Sequence, residues 1–129
     1  MGLIDNPLSA VLEKVLAHHN LRQDVISSNI ANANTPGYRA FDLVLRRRLE
    51  HVSPIEIRTS DPRHLTSAGS LDQTGSQLVK SDDPAGLDGN NVSLEQEFMK
   101  LTENRMLYQV GFELMDKWGN LNRAARDTR

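Results

Sequence analysis

The chain has 129 residues, with 15 Lys and Arg against 17 Asp and Glu, and it contains no cysteine. This length fits a single domain. The near balance of charge argues against a nucleic-acid-binding protein, for which a net basic surface is expected. Without cysteine the chain can form no disulfide, no thiolate zinc site and no thiol nucleophile. Aromatic residues make up only 5% of the chain, which is little material for a self-sufficient core.

The first predicted element is a long helix from about residue 6 to residue 32. Pro7 suits a first helical turn, with Asn6 as the N-cap. Thr35-Pro36-Gly37 is expected to end the helix, because proline restricts the residue before it and glycine permits a turn. Apolar residues recur in steps of three and four, which indicates an amphipathic helix. These residues are Leu8, Val11, Leu12, Val15, Leu16, Leu21, Val25, Ile26 and Ile30.

The middle of the chain, from residue 38 to residue 91, is rich in Pro, Gly, Ser and Asp. Residues 55–59 alternate apolar and polar side chains, which is typical of a strand, and residues 77–80 are a second candidate. The two strands are candidates for a small hairpin, although the connection between them is long for a compact domain. Turns are expected at Asp83-Pro84 and at Asp88-Gly89.

The last predicted element is a helix that begins after Ser93 and contains no proline. One apolar seam along it has the alternating steps of four and three that are typical of coiled coils. A second apolar stripe lies on an adjacent face. The seam consists of Leu94, Phe98, Leu101, Arg105, Tyr108, Phe112 and Met115, and the stripe of Leu107, Val110, Leu114, Trp118 and Leu121.

The predicted fold class is mainly α, with paired, coiled-coil-like N- and C-terminal long helices and a loop-rich middle that holds a small β-hairpin. The predicted parts are residues 1–35, 36–92 and 93–129. Each helix carries a wide apolar arc, which suits a helix with more than one neighbour. The middle segment looks too small to supply that neighbour, so other chains would supply it, and non-closing contacts between chains generate a filament. A small monomeric helical bundle fits the same periodicity.

Nothing in the sequence points to catalysis or to a bound ion. His18 and His19 point about 100° apart on a helix and cannot share one metal ion. The acidic residues around Asp83 and Asp88 lack the closing glutamate of an EF-hand loop. The basic run at residues 46–48 is typical of a solvated face, and no phosphate-binding or nucleophile motif is present. We therefore expect no enzyme, cofactor, metal, small-molecule substrate or nucleic acid.

Two motifs carry a resemblance to a known family. Residues 28–38 read SNIANANTPGY and closely resemble the signature of flagellar rod and hook proteins. Residues 87–95 read LDGNNVSLE and are followed by Glu103-Asn104 and Tyr108. This stretch is similar to one in the proximal rod proteins, the FlgB type of the flagellar basal-body rod family. Within the first motif, amide side chains can bond free backbone groups at a helix end. Ala31 and Ala33 are small enough for close helix approach.

The resemblance implies a structural function in the bacterial flagellum. Such proteins pair their terminal helices, stack in a helical array around the export channel and transmit torque. The implied location is the rod of the basal body, in the periplasmic space, after export by the flagellar type III apparatus without a cleaved signal. The implied partners are copies of the chain itself, other rod proteins, the rod-to-membrane-ring adaptor, the membrane ring and the export gate. The N-terminal residues indeed lack the basic and continuously apolar regions of a cleaved signal.

The residues predicted to act in assembly fall into two sets. Those for the helix layer are Leu12, Val15, Ile26, Phe98, Leu101, Tyr108, Phe112 and Met115. Those that set the exit of the chain from the first helix are Asn29, Ala31, Asn32, Thr35, Pro36, Gly37 and Tyr38. Export substrates of this class also carry a Phe-x-x-x-apolar element, which Phe41 and Leu45 match, although an ordinary packing role explains them equally well. Another flagellar axial subunit and a small helical export chaperone or adaptor are the alternative functions.

Overall fold

The computed structural model describes residues 7–47 and 74–127, and these ranges form two helices and two strands. In chain order they are α1 (Pro7–Ala31), β1 (Phe41–Arg47), β2 (Thr74–Lys80) and α2 (Leu94–Asp127). The predicted class, mainly α with long helices at both ends, is confirmed. Within the described ranges, neither helix is long and apolar enough to cross a membrane.

The two helices pack against each other as an antiparallel pair. α1 has 25 residues and α2 has 34, so they are about 37 and 51 Å long at 1.5 Å per residue. Contacts run in opposite order along them, because Leu16, His19 and Asn29 of α1 meet residues 111, 104 and 97 of α2. α1 ends one residue before the predicted limit, and α2 begins directly after Ser93 as predicted.

The face of α2 that packs on α1 differs from the predicted seam at every second position. Its half-buried members at residues 101, 108 and 115 agree with the prediction. The positions between them are held by Glu97, Asn104 and Gly111, which are buried. The predicted positions Phe98 and Phe112 are instead 53% and 56% exposed. The predicted seam is therefore wrong by one residue at these positions, because hydrogen bonding and close helix approach, not hydrophobicity, select the residues there.

The two strands form an antiparallel sheet whose register runs from Phe41 opposite Lys80 to Arg47 opposite Thr74. The strand predicted at residues 77–80 is confirmed as part of β2. Its partner is β1, where no strand was predicted. The predicted strand at residues 55–59 lies outside the described residues, as does the N-cap predicted at Asn6.

The sheet packs on the side of α1 that α2 leaves free. His18 Nδ1 shares a hydrogen bond of 2.8 Å with Ser76 Oγ of β2. The Arg22 guanidinium binds Asp42 of β1 through two hydrogen bonds of 2.8 and 3.1 Å. α1 therefore lies between the sheet and α2. The expectation that the middle segment is too small to cover a second helix face is wrong for α1. The three buried apolar residues among those described are Ile26, Ala40 and Leu43.

Candidate functional site: an amide cluster between the two motifs

The two motifs meet at the end of the helix pair where α1 finishes and α2 starts. Residues 32–37 turn the chain out of α1, and residues 86–89 form a turn that leads toward α2. Gly37 N–H donates to the Asp88 carbonyl over 2.8 Å, and Asn91 N–H donates to the Tyr38 carbonyl over 3.3 Å. Backbone hydrogen bonds thus hold the SNIANANTPGY segment against the LDGNN segment.

Asn90 closes the C-terminal end of α1. Its side-chain amide Nδ2 lies 2.9 Å from each of the carbonyl oxygens of Asn32, Ala33 and Thr35. The last carbonyls of a helix lack partners within the helix and carry its partial negative charge. The amide Oδ1 of Asn90 accepts a hydrogen bond of 2.7 Å from Val92 N–H, which orients the group. Asn90 therefore fixes the turn that follows α1, from a loop more than fifty positions away along the chain.

Asn29 joins three elements from a position with no solvent exposure. Its Oδ1 accepts hydrogen bonds of 3.1 Å from Tyr38 Oη and from Phe41 N–H. Its Nδ2 donates to the Phe41 carbonyl over 2.6 Å and to Glu97 Oε2 over 3.0 Å. An asparagine amide offers two donors and two acceptor lone pairs, so this side chain is fully used. It connects α1 to the start of β1 and to α2.

Glu97 is the charged member of the amide cluster and is 2% exposed. A buried carboxylate is stable only when paired and hydrogen-bonded. One oxygen accepts from Asn29, and the other accepts from Lys100 Nζ over 3.1 Å. The first turn of α2 places this carboxylate near the positive end of the helix dipole, which stabilises it further.

Two further amides extend the same kind of bonding. Asn91 Oδ1 accepts from Ala40 N–H over 2.7 Å, and its Nδ2 donates to the Ser81 and Asp83 carbonyls. Asn104, which is fully buried, donates to the His19 carbonyl over 2.7 Å, and its Oδ1 lies 2.8 Å from His19 Nδ1. Each buried side-chain N or O atom of the described residues has a hydrogen-bond partner. The amide cluster therefore serves as a hydrogen-bonded connection between the two motifs and the two helices.

Two glycines let the motifs approach, because Gly37 and Gly89 have φ values of 73° and 79°. A Cβ on Gly89 would lie 3.3 Å from the Gly37 Cα, whereas a Cβ on Gly37 would meet nothing within 4 Å. We expect Gly37→Ala to cost about 1 kcal/mol for its left-handed backbone. Gly89→Ala should cost roughly 2 to 3 kcal/mol, because the contact adds to the backbone strain. Urea unfolding of both variants tests this order, and equal losses would contradict it.

The contact between α1 and the sheet contains groups with shifted pKa values. Burial lowers the pKa of His18 below its ordinary 6.5, and the neighbouring His19 and Arg22 lower it further, against a smaller opposing effect of Asp42. Burial alone would raise the pKa of Asp42 above its ordinary 3.8, but the hydrogen bonds and charge of Arg22 outweigh burial and leave the pKa lowered. Both groups therefore resist protonation in the folded chain.

Stability should fall on acidification in two steps. Because the pKa of His18 is lowered on folding, its contribution is complete above pH 6.5 and decreases as the pH falls through that value. The contribution of Asp42 is present above pH 3.8 and is lost as the pH falls through its lowered pKa. Melting temperatures across this pH range measure both steps. His18→Gln should remove the first step and Asp42→Asn the second; a His18→Gln protein that keeps the first step would refute its assignment to His18.

The residues predicted to set the chain exit divide between the cluster and the surface. Asn29 and Tyr38 lie in the cluster. Asn32 Nδ2 donates to the Ser28 carbonyl, and Thr35 Oγ1 donates to Asn32 Oδ1 over 3.2 Å. The remaining members are exposed, and they are Ala31, Pro36 and Gly37.

The residues predicted for the helix layer are also divided. Ile26 has no exposure and contributes only to the interior of the chain. Phe98 and Phe112 remain exposed and can meet other molecules. Phe41 and Leu45, the candidate export element, are half-buried in β1. The half-buried members of the layer are Leu12, Val15, Leu101, Tyr108 and Met115.

The sequence interpretation missed the structural role of the second motif and of the polar positions on α2. Asn90 and Asn91 were assigned only to a turn before the helix. Glu97 and Gly111 were passed over because neither is a large apolar residue, and Asn104 was noted only as part of the second motif. A signal for these three existed, since they recur every seven residues, one turn from the apolar positions of the seam.

The fold and the amide cluster define a helical structural protein. Among the described residues, no group of three or more His, Asp or Glu side chains could hold a metal ion. Residues 16–39, which cover most of α1 and the turn that follows it, match the family model described as flagella basal body rod protein. The match thus covers the part of the chain that contains Asn29 and the first motif.

Curated relatives extend the similarity to most of the chain. A flagellar basal body rod protein FlgB of Cereibacter sphaeroides is 32% identical over 105 residues, or 81% of each chain. That of Bacillus subtilis is 32% identical over 106 residues, again 81% of each, and that of Aeromonas hydrophila is 34% identical over 107 residues, or 78% of each. The chain belongs to the FlgB family of flagellar basal body rod proteins. The predicted family is confirmed, and with it a structural subunit of the proximal rod.

Proposed function

We propose that this subunit packs against neighbouring subunits through the outer face of α2, in a helical array that transmits torque and lines the export channel. The observation that carries the proposal is a line of exposed apolar side chains on the side of α2 turned away from α1. Their exposures range from 42% to 72%. We call this line the outer stripe, and its members are Met99, Met106, Leu107, Val110, Leu114 and Leu121.

The outer stripe has the properties of a surface that is covered on assembly. Contiguous exposed apolar surface on a soluble protein usually marks an interaction site. The N-terminal half of the stripe borders a shallow, open and mainly apolar groove of about 560 Å³ on the surface of α2, lined by Phe98 and Leu107 among others. α2 and the sheet pack on two sides of α1, of which Leu8 and Leu21 stay exposed, so α2 offers the larger uncovered apolar face of the pair.

The amide cluster supports the mechanical part of the proposal. Torque that enters through α2 must reach the rest of the subunit without separating the helices. Asn29 and Glu97 link the two helices by a buried hydrogen bond, and Asn104 and His19 link them again about two turns away. Because a buried polar network is costly to break, a load on α2 is shared with α1.

Family membership and the resemblance of the motifs support the wider partners in this proposal. In the proposed setting the subunit meets copies of itself, other rod proteins, and the adaptor and membrane ring at the base of the rod, in the periplasmic space. It reaches that place through the type III export gate, as an unfolded chain without a cleaved signal. Phe41 and Leu45 lie in β1 of the folded subunit, so the gate would read them before folding.

A charge placed in the outer stripe tests the proposal. In a flagellated host that lacks its own FlgB relative and swims when given this chain, Val110→Lys with Leu114→Lys should abolish swimming. The variant should also be absent from purified basal bodies, because two buried ammonium groups would disfavour the interface. Both positions are more than half exposed, so the isolated subunit should keep its helicity and melting temperature.

The matched control adds the same two charges outside the stripe. Gln109→Lys with Asn120→Lys places them on exposed polar positions of α2 and should leave swimming unchanged. Normal incorporation of the Val110→Lys, Leu114→Lys protein into basal bodies would reject the proposal. An accumulation of the unchanged chain in the cytoplasm, bound to a client and absent from basal bodies, would favour a chaperone instead.

A further inference from the structure

Two methionines of the outer stripe are open to solvent on the same face of α2. Met99 is 72% exposed and Met106 is 63% exposed. They are seven residues apart, close to two helical turns, so their side chains lie one above the other. Both line the groove on the surface of α2, whereas Met115, the remaining methionine of the described residues, is half-buried. Any reagent that attacks methionine therefore reaches the outer stripe first.

The groove offers no side-chain donor for a polar group. Of the described residues that line it, the only hydroxyl belongs to Thr102, which already donates to the Phe98 carbonyl over 3.0 Å. Glu103 as a carboxylate can only accept hydrogen bonds, and Leu107 and the methionines donate none. A strong acceptor that is introduced here and then covered by an apolar neighbour is left without a partner. The groove therefore suits a thioether but not its oxidised form.

We propose that Met99 and Met106 form an oxidation-sensitive site, and that their conversion to methionine sulfoxide stops the outer stripe from binding its neighbour. The proposal rests on the assembly function above and adds a regulator of that surface, a two-electron oxidant such as hydrogen peroxide. A lone pair of Sδ attacks one peroxide oxygen, so that an S–O bond forms and the O–O bond breaks. The proton on the transferred oxygen passes to the departing hydroxide, which leaves as water. Sulfur is oxidised by two electrons, and the peroxide is reduced by two.

Oxidation changes these side chains in a way that disfavours a covered apolar surface. Methionine is common at adaptable binding surfaces because its thioether is apolar, flexible and polarizable, whereas the sulfoxide is polar. Burial of a polar group without a hydrogen bond should weaken the interface by roughly 5- to 150-fold for each sulfoxide. The reaction affects the unassembled subunit, because assembly covers both sulfurs. It is reversible, since sulfoxide reductases restore the thioether.

Peptide mapping by mass spectrometry tests the chemical step on the full-length protein. During treatment with hydrogen peroxide, Met99 and Met106 should each gain one oxygen atom several-fold faster than Met115, because exposure governs the rate. Helicity should not change, since both reactive side chains lie on the surface. Equal rates at the three methionines would overturn the assignment of the site.

A competition between two chains in one cell tests the effect on assembly. The host described above, now also lacking its methionine sulfoxide reductases, produces the parent together with the Met99→Leu, Met106→Leu protein. Leucine keeps the stripe apolar and resists oxidation, so both chains should enter basal bodies equally without oxidant. Under a peroxide dose that oxidises both sites in the unassembled parent, the leucine variant should exceed the parent in newly formed basal bodies by at least about 5-fold. General damage to the cell affects both chains alike and leaves this ratio unchanged.

Two further variants serve as matched controls. Met115→Leu, competed with the parent in the same way, should keep a ratio near one in peroxide. Met99→Gln with Met106→Gln imitates the polarity of the sulfoxide and should be excluded from basal bodies without any oxidant, while its helicity equals that of the parent.

The outcomes distinguish the oxidation-sensitive site from the assembly function. A parent that competes equally with the Met99→Leu, Met106→Leu protein, despite oxidation at both sites, would overturn the oxidation-sensitive site. If the Val110→Lys, Leu114→Lys protein is nevertheless excluded from basal bodies, the assembly function stands. If that protein is incorporated normally, the outer stripe is not an assembly surface and both proposals are wrong.

Discussion

Replacing Asn29 by leucine, which has a similar volume, should destabilise the isolated subunit by about 4 kcal/mol. The amide makes four hydrogen bonds and has no solvent exposure. Leucine can replace none of these bonds, so both backbone groups of Phe41 and the Tyr38 hydroxyl, which are part-buried, lose a partner at about 1 kcal/mol each. The buried Glu97 carboxylate also loses one of its two donors. Urea unfolding followed by circular dichroism measures the loss.

Two further variants distinguish the loss of the Asn29 hydrogen bonds from a general effect of altering the motif. Asn34 lies in the same motif and is exposed, so Asn34→Leu should change stability by less than about 0.5 kcal/mol. Asn29→Asp keeps the shape and the acceptors but sets a second carboxylate against Glu97, at the 3.0 Å separation of the present hydrogen bond. It should be strongly destabilising at neutral pH and recover partly on acidification. If the free energy of unfolding of Asn29→Leu lies within about 1 kcal/mol of the parent value, the amide cluster does not hold the two helices together.

The helices were predictable because their signals are local. The apolar period of α1 and α2, the Pro36-Gly37 pair and the position of Ser93 gave both elements and their inner ends to within about a residue. The strand at residues 77–80 was also found. β1 was missed because its sequence, Phe-Asp-Leu-Val-Leu-Arg-Arg, mixes apolar and charged residues. Asp42 in it is explained only by Arg22, twenty positions away on another element.

The sequence indicated the two segments that form the amide cluster, but it did not reveal the hydrogen bonds between them. The resemblance drew attention to residues 28–38 and 87–95, but no rule of local spacing connects Asn29 to Glu97 across 68 positions or Asn90 to the carbonyls at the end of α1. The prediction of the α2 seam that packs on α1 was wrong for a related reason. A hydrophobic pattern cannot recognise a position where a glutamate or an asparagine is buried because its hydrogen bonds lie on the neighbouring helix.

Whether the middle segment covers the helices also depends on tertiary contacts, which the sequence pattern does not reveal. The apolar arc of α1 was correctly taken to need two neighbours, but one of them is the sheet of the same chain. α2 differs, since Met99, Val110 and Leu121 are more than half exposed. The argument from surplus apolar surface therefore applies to α2. We therefore expect α2, rather than α1, to face the neighbouring subunits in the proposed array.

A close approach of the two helices at Gly111 gives the second large effect. A Cβ on this buried glycine would lie 3.1 Å from Leu16 Cδ2. Gly111→Leu must place four carbon atoms in that space and should cost about 3 kcal/mol, because the helices have to separate. Separation would also lengthen the hydrogen bond between Asn104 and His19, two turns away. The same unfolding measurement applies, together with hydrogen exchange of the α1 amides, which should lose protection near Leu16.

Gly119 provides the opposite case on the same helix, since a Cβ there would meet nothing within 4 Å. Glycine inside a helix costs up to about 1 kcal/mol relative to alanine, so Gly119→Ala should stabilise the subunit by roughly that amount. The stability of Gly111→Ala should lie between those of Gly111→Leu and Gly119→Ala. The gain in helix propensity is the same, but it is offset by a tight contact that the flexible Leu16 side chain can relieve. A Gly111→Leu protein as stable as the parent would mean that the helices do not depend on close approach at this point. The proposed transmission of torque between them would then rely on the amide cluster alone.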